Sequence, residues 1–149
     1  MKTSAFVLCL LSATPLICLS GELRPAKLLA PLQDQTIIDG CSWSASSSRI
    51  GDGYIFLAEY DQSRVLMNID GTDTELRLVS SRGDLSKVGG IATDTDRSQQ
   101  GVVVYATYRA TWTCPADNDS CEVTRYDATF EVTTRTRRQV VHATGAVGC

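Results

Sequence analysis

Histidine is nearly absent from this chain, which has one histidine among 149 residues. A single histidine excludes zinc sites built from several histidines, and the closely spaced nitrogen and sulfur ligands that zinc needs are missing. Serine–histidine catalysis would have to use His142, but no serine is singled out and no strand–Gly-x-Ser-x-Gly–helix segment occurs. Neither a zinc site nor a catalytic triad that uses a histidine base is therefore expected.

Positive charge is also in short supply. The chain carries 14 lysine and arginine residues against 17 aspartate and glutamate residues, which gives a net charge of −3. This balance excludes a strongly cationic nucleic-acid binder, so no nucleic-acid partner is expected. Apolar residues make up 43% of the sequence, which is enough for a packed core and too much for a disordered chain. The length fits one domain of ordinary size.

A long apolar run occurs only near the amino terminus. A short positive start precedes an apolar stretch from Ala5 to Leu19, which Pro15 interrupts. This layout predicts a secretory signal peptide over residues 1–20, because a transmembrane helix needs about 20 apolar residues. Acylation of Cys18 is the alternative, but the residues before it fit a lipoprotein signal poorly. The chain is therefore expected to be periplasmic or secreted, with no transmembrane segment.

Two of the six cysteines lie in the predicted signal peptide. The other four are an even number in an exported chain, so two disulfides are expected. Cys114 and Cys121 flank turn-favouring residues between two predicted strands, which brings them within bridging distance. Cys41 and Cys149 then pair by elimination, and their bridge joins the start of the domain to its last residue.

Apolar and polar residues alternate along most of the remaining chain, and no stretch shows a sustained period of 3.6 residues. Two-residue alternation is typical of half-buried strands. Asp70-Gly71, between two alternating runs, is a strong hairpin signal. Strands are expected at residues 54–60, 64–69, 74–80, 101–113, 122–133 and 136–143, with a short one at 88–92.

The predicted fold class is all-β: a small antiparallel β-sandwich or partly open barrel of six to eight strands, stapled by two disulfides. It forms a single domain over residues 37–149. Residues 21–36 are expected to be a flexible tether, because they show no strand or helix pattern. Residues 145–149 are expected to form a tail, and loops are expected at 42–53, 81–100 and 115–120.

A basic cluster and one tryptophan are the candidate binding residues. Arg135, Arg137 and Arg138 lie close together late in the chain, and alternation on a strand places Arg138 opposite the other two. Such a cluster either contacts an anionic partner or protects an edge strand against pairing. Trp43 interrupts the small polar run 42–48, where it either anchors a solvated loop or lines a binding groove.

Acidic pairs are the candidates for chemistry. Asp94 and Asp96 are separated by one residue within a polar segment. Calcium accepts such oxygen ligands, but no acidic group fits the twelve-residue loop with its closing glutamate. Aspartates also favour turns and keep loops soluble, which is the preferred interpretation. No catalytic residue, metal or cofactor is therefore assigned.

Several short motifs resemble those of a group of small exported bacterial proteins with no assigned activity. The matching pieces are Gly40-Cys41-Ser42, Met67-Asn68-Ile69-Asp70-Gly71 with Leu76, Thr113-Cys114-Pro115, Cys121-Glu122-Val123-Thr124, and Gly145 to Cys149. This resemblance implies export and the disulfide frame, and it implies no reaction. Ser81-Arg82-Gly83 is similar to a Ser-x-Gly loop of periplasmic lysozyme inhibitors, which are small β-barrels. The tyrosine and tryptophan-lysine-glycine signatures of that family are missing here.

The leading interpretation is a non-enzymatic binding domain that acts as an inhibitor, an immunity protein or an envelope accessory protein. Its partner would be an envelope or secreted protein. The alternatives are a hydrolase that uses carboxylates such as Asp94 and Asp96, and a purely structural envelope component. A cleft with convergent carboxylates of raised pKa would favour the hydrolase, whereas an exposed aromatic or basic patch would favour binding.

Overall fold

A computed structural model describes residues 27–118 and 120–149, and the predicted signal peptide lies outside them. All regular structure in these residues is β-strand, so the expected all-β class is confirmed. No helix in the described residues is long and apolar enough to span a membrane. The strands are β1 (Leu29–Ala30), β2 (Ser42–Ser46), β3 (Tyr54–Glu59), β4 (Val65–Ile69), β5 (Thr72–Gly83), β6 (Ile91–Arg97), β7 (Val103–Thr113), β8 (Val123–Thr133) and β9 (Arg138–Gly148).

Strands β2 to β9 form a closed antiparallel barrel in which each strand pairs with its neighbours in the sequence. The barrel closes where β9 pairs with β2, from Ser42 opposite Gly148 to Ser46 opposite Thr144. The short strand β1 lies outside this ring and pairs with the last two residues of β4. The structure is thus the barrel alternative of the prediction, with eight strands and full closure.

The up-and-down order places alternate connections at opposite ends of the barrel. The upper end holds the start of β2, the end of β9 and the connections at 60–64, 84–90 and between β7 and β8. The lower end holds the connections at 47–53, 70–71, 98–102 and 134–137.

Aromatic side chains fill the interior, because inward-facing positions alternate with outward-facing ones along every barrel strand. Phe56, Phe130, Tyr108 and Tyr126 are all fully buried. The rings of Phe56 and Phe130 stack with centroids 4.9 Å apart, and those of Tyr108 and Tyr126 meet edge-on at 5.1 Å. Small residues make room for these rings: at Gly145, a Cβ would lie 2.7 Å from the ring of Tyr126. The middle of the barrel is therefore a packed core.

The lower end is covered by the chain that precedes β2. Leu28 and Leu29 are buried in the main core. Both of their backbone N–H groups donate to Gln139 Oε1, at 2.8 and 3.2 Å. Because these contacts anchor both the side chains and the backbone, the segment seals this end.

The expectation of a flexible tether is wrong for residues 27–36, the part of it that the structure describes. Leu32 packs with Leu57 and Leu66 in a second apolar cluster on the outside of β3 and β4. The leucines of this segment are not arranged in an alternating pattern, so a search for periodicity does not detect them.

Both expected disulfides are confirmed. Cys41 and Cys149 are bridged with Cα atoms 4.2 Å apart, and Cys114 and Cys121 with Cα atoms 5.6 Å apart. Both bridges lie at the upper end. Disulfides of this kind are typical of oxidising compartments outside the cytoplasm.

Three predicted irregular segments contain strands. Strand β2 lies in the expected loop 42–53, and the expected loop 81–100 contains β6 and the end of β5. The last four residues of β9 lie in the expected tail 145–149. Pairing partners on both sides hold these polar or glycine-containing stretches in the sheet, and the sequence of a single strand does not reveal its partners.

Candidate ligand-binding site

The upper end of the barrel contains a pocket of about 350 Å³, called the mouth below. Its floor and walls come from the interior of the barrel and from two upper connections. The residues that matter for its chemistry are Trp43, Tyr60, Gln62, Asp84, Leu85 and Asp94. A pocket of this size is large enough for a small ligand or for a single long side chain.

Asp94 reaches the mouth because β6 alternates. Ala92, Asp94 and Asp96 are buried, whereas Thr93 and Thr95 are only half-buried on the opposite face. Two carboxyl groups therefore point into a barrel that is otherwise mostly apolar. Burying such groups is costly unless they are hydrogen-bonded or lose their charge.

Gln62 supplies one partner for Asp94. Its side-chain N–H donates to Asp94 Oδ2 at 2.9 Å, and both residues are buried. The backbone of Gln62 adopts a left-handed conformation with φ of 57°, which few non-glycine residues adopt. A backbone bond from Gln62 N–H to the Glu59 carbonyl, at 2.8 Å, holds this turn. The turn thus directs the glutamine side chain into the barrel.

Asp94 Oδ1 has no hydrogen-bond partner among the described residues, and the same is true of Asp96 Oδ1 and the Tyr108 hydroxyl. Burial, followed by the negative charge of Asp94, raises the pKa of Asp96 to about 7. Burial also raises the pKa of Tyr108, with smaller contributions from Tyr126, Asp94 and Asp96. Asp94, Asp96 and the Tyr108 hydroxyl are thus buried polar groups inside the barrel. Of the three residues, only Asp94 lines the mouth.

Trp43 forms an aromatic wall of the mouth. Its ring centroid lies 5.3 Å from that of Tyr108 and 5.6 Å from that of Tyr126. Its indole N–H donates to the Tyr60 carbonyl at 3.1 Å. Trp43 therefore lies on strand β2 with one face on the core, and the expected solvated loop is wrong at this position.

The connection at 84–90 crosses the mouth. Leu85 is buried and packs with the main core. Gly89 N–H donates to the Ala110 carbonyl at 2.8 Å, and Ala110 N–H donates to the Gly90 carbonyl at 2.9 Å. The connection is thus fastened to β7 at its glycines, while Leu85 covers the pocket.

The arginine cluster lies at the lower end, on the opposite side of the molecule from the mouth. Arg135 and Arg137 lie in the connection between β8 and β9, so their expected placement on a strand is wrong, and only Arg138 belongs to β9. Arg138 forms two short bonds with Glu131, at 2.7 and 2.6 Å, and Arg137 pairs with Asp70. Arg135 is exposed and lines a groove of mixed charge.

His142 lies exposed on the outside of β9, where its Nδ1 is 3.0 Å from Thr129 Oγ1. No cluster of three or more histidine, cysteine, aspartate or glutamate side chains that could hold a metal occurs in the part of the chain described here.

The structure brings Trp43 and Asp94, which the sequence singles out separately, to one pocket. Gln62, Tyr60 and Leu85 lie on connections without a motif, so no sequence pattern identifies them. One signal was available: Ala92, Asp94 and Asp96 alternate with two β-branched threonines, a pattern that fits a strand with polar groups turned inward. Comparison with known proteins adds no assignment, since no family model, curated protein or solved structure matches the chain.

Proposed function

We propose that this chain is a non-enzymatic binding domain, periplasmic or secreted, that holds its ligand in the mouth. The observation that carries this proposal is the difference between the two barrel ends. Leu28 and Leu29 cover the barrel interior at the lower end, where a groove of about 680 Å³ lies among the outer connections. The upper end has a pocket with an aromatic wall and a buried carboxylate, which the described residues of the lower groove lack. Ligand sites in small barrels commonly lie at such an end.

The two disulfides support this use of the upper end. Cys41 adjoins β2, which carries Trp43, and the other bridge fastens the connection from β7 to β8. A rigid rim reduces the entropy that ordering would cost on binding. An inhibitor, immunity protein or envelope accessory protein would use this rim to accept a group of a secreted or envelope protein.

A carboxylate-dependent hydrolase fits the geometry less well. The pKa of Asp96, raised to about 7, is suited to a general acid. A general acid must also reach its substrate, but Asp96 is 1% exposed and does not line the mouth. The carboxyl groups thus do not converge on an open cleft, as the two-carboxylate mechanism of glycosidases requires.

Small-molecule screening by NMR tests the binding proposal. The chain has two tryptophans, so Trp112→Phe leaves the Trp43 indole N–H as the single indole signal. We expect fragment hits to shift this signal together with the amides of Gln62, Leu85 and Asp94. Outer-face amides such as Thr107 should not move. Hits that scatter over the outer face, or a complete absence of hits, would overturn the proposal.

A further inference from the structure

The charged residues that line the mouth are all acidic. Two carboxylates, Asp84 and Asp94, line it, and no lysine, arginine or histidine is among its lining residues in the described chain. The pKa of Asp84 is lowered by hydrogen bonds from the side chain and backbone of Ser86 and, to a smaller extent, by the positive charge of Lys87, so this group is ionised at neutral pH. The adjoining hollow of about 500 Å³ has Glu122 as its charged lining residue. Lys87 lies near Asp84 but does not line the pocket, so a ligand inside the mouth meets only negative charges among the described residues of its walls.

The arrangement around Asp94 shows what kind of group it accepts. The side-chain amide of Gln62 already donates an N–H to Oδ2 at 2.9 Å, so the chain supplies its own nitrogen donor. Oδ1 of the same carboxylate is buried, and no described residue donates to it. A ligand that brings further N–H donors would satisfy this oxygen, and a charged donor would do so more strongly than a neutral one.

The aromatic wall favours a positive charge as well. Trp43 is half-buried and Tyr60 is 61% exposed at the rim. Cations are attracted to the faces of such rings, most strongly to tryptophan. A neutral donor would satisfy the carboxylate in part, but it would leave the buried negative charge uncompensated.

We infer that the mouth binds an organic cation whose protonated amine donates to Asp94 while its body lies against Trp43 and Tyr60. The inference rests on the proposed function and adds the chemical class of the ligand. The amine donates to Asp94 Oδ1, beside the Gln62 amide on Oδ2, and the carbon skeleton occupies the 350 Å³ under Leu85. Free amines and the side chain of lysine share this chemistry.

Three probes of matched shape test the inference: 2-phenylethylamine, 2-phenylethanol and phenylacetate. Each is titrated at pH 7.5 into the Trp112→Phe protein while the fluorescence of Trp43 is followed. We expect the amine to bind at least about tenfold more tightly than the alcohol, because hydrogen bonds between charged groups are the stronger ones. Phenylacetate should not bind measurably. N-acetyl-lysine methylamide, run alongside, distinguishes the sources: tighter binding than the free amine identifies a protein side chain.

Two substitutions locate the amine. Asp94→Asn should remove the preference for the amine and leave the affinity for the alcohol unchanged, whereas Asp127→Asn on the outer face should change neither. Gln62→Ala frees the carboxylate and should tighten amine binding, which keeps the test decisive if the Asp94 variant does not fold.

The outcomes separate this inference from the proposed function. If the alcohol binds in the mouth as tightly as the amine, or phenylacetate binds more tightly, the cation inference is wrong and the binding function stands. If the amine binds but neither Asp94→Asn nor Gln62→Ala alters its affinity, it binds elsewhere and the inference is overturned. If none of the probes binds while other fragments shift the Trp43 signal, the ligand class is again wrong.

Discussion

Asp96 lies in an environment that disfavours its charged form. It is 1% exposed, its Oδ1 has no partner among the described residues, and Asp94 lies two positions away on the same face of β6. A carboxyl group in such a place reduces its cost by keeping its proton. The stability of the barrel should therefore depend on pH through this group.

Replacing Asp96 by asparagine should remove a loss of stability that occurs as the pH rises. The pKa of Asp96 is about 7 in the folded chain, whereas an unfolded aspartate releases its proton near pH 4. The folded state therefore holds more protons between these values, and its stability falls through that window by on the order of 4 kcal/mol. Urea unfolding at pH 4, 5.5, 7 and 8 measures this slope.

In this experiment the free energy of unfolding of the Asp96→Asn protein should depend less on pH than that of the parent. At pH 8 the variant should be the more stable of the two. Asp127→Asn, a change of the same kind at an exposed position, should keep the slope of the parent. Parallel profiles for the parent and Asp96→Asn would show that the carboxyl is not protonated in the fold.

The two buried tyrosines differ in one contact. The Tyr126 hydroxyl donates to the Ser44 carbonyl at 2.9 Å, and the Tyr108 hydroxyl has no partner in the described chain. Tyr126→Phe should lower the free energy of unfolding by about 1 kcal/mol. Tyr108→Phe should be neutral or stabilising, because it removes a buried polar group with no partner to lose. Denaturant unfolding of the pair at pH 6 tests this order, and a larger loss for Tyr108→Phe would contradict it.

At the scale of elements, the seam between β2 and β9 decides whether the sheet becomes a barrel. Gly145 of β9 lies opposite Ala45 of β2. A Cβ at this glycine would lie 2.2 Å from the Ser44 carbonyl oxygen, so two backbones and the Tyr126 ring approach each other where no side chain fits. The seam is therefore sensitive to the addition of a single methyl group.

Gly145→Ala should destabilise the barrel by about 3 kcal/mol or more, the upper part of the usual cost of overpacking, because backbone atoms cannot move aside easily. Gly71→Ala is the matched control: a Cβ there meets nothing within 4 Å, and its φ of 78° costs about 1 kcal/mol for a residue with a side chain. Thermal unfolding of both variants gives the comparison. Equal losses would mean that the seam can open to accommodate the methyl group.

The elements that the sequence reveals are those whose own residues carry the pattern. The strands at 54–60, 64–69, 101–113 and 122–133 were predicted to within a few residues, because Val, Ile, Tyr and Phe alternate in them. Strands β2 and β6 consist largely of serine, threonine and aspartate, and the pairing partners on both sides hold them in the sheet. Asp94 and Asp96 looked like loop residues for the same reason, and no local signal shows that a closed barrel surrounds them.

At the scale of the whole molecule, the two ends of the barrel are built differently. The side chains and backbone bonds of Leu28 and Leu29 cover the barrel interior at the lower end, whereas covalent bridges hold the upper end around the mouth. The disulfide pairing was predictable because four cysteines leave few choices and one pair flanks a turn. The mouth was not predictable, because its walls come from residues up to 104 positions apart, from Trp43 to Val147, and only the closure of the sheet brings them together.

The two bridges should contribute unequally to stability. The chain-entropy model relates the effect of a disulfide to the length of the loop that it closes, and the sequence separations here are 108 for Cys41–Cys149 and 7 for Cys114–Cys121. In this model the long bridge stabilises the folded state by roughly 4.7 kcal/mol and the short bridge by roughly 2.5 kcal/mol. The double variant Cys41→Ala/Cys149→Ala should therefore lose about 2 kcal/mol more in denaturant unfolding than Cys114→Ala/Cys121→Ala. Because Trp43 follows Cys41 on the strand that closes the barrel, its fluorescence should also change more in the first variant. Equal losses would show that pairing between β2 and β9 already holds the chain ends together without the long bridge.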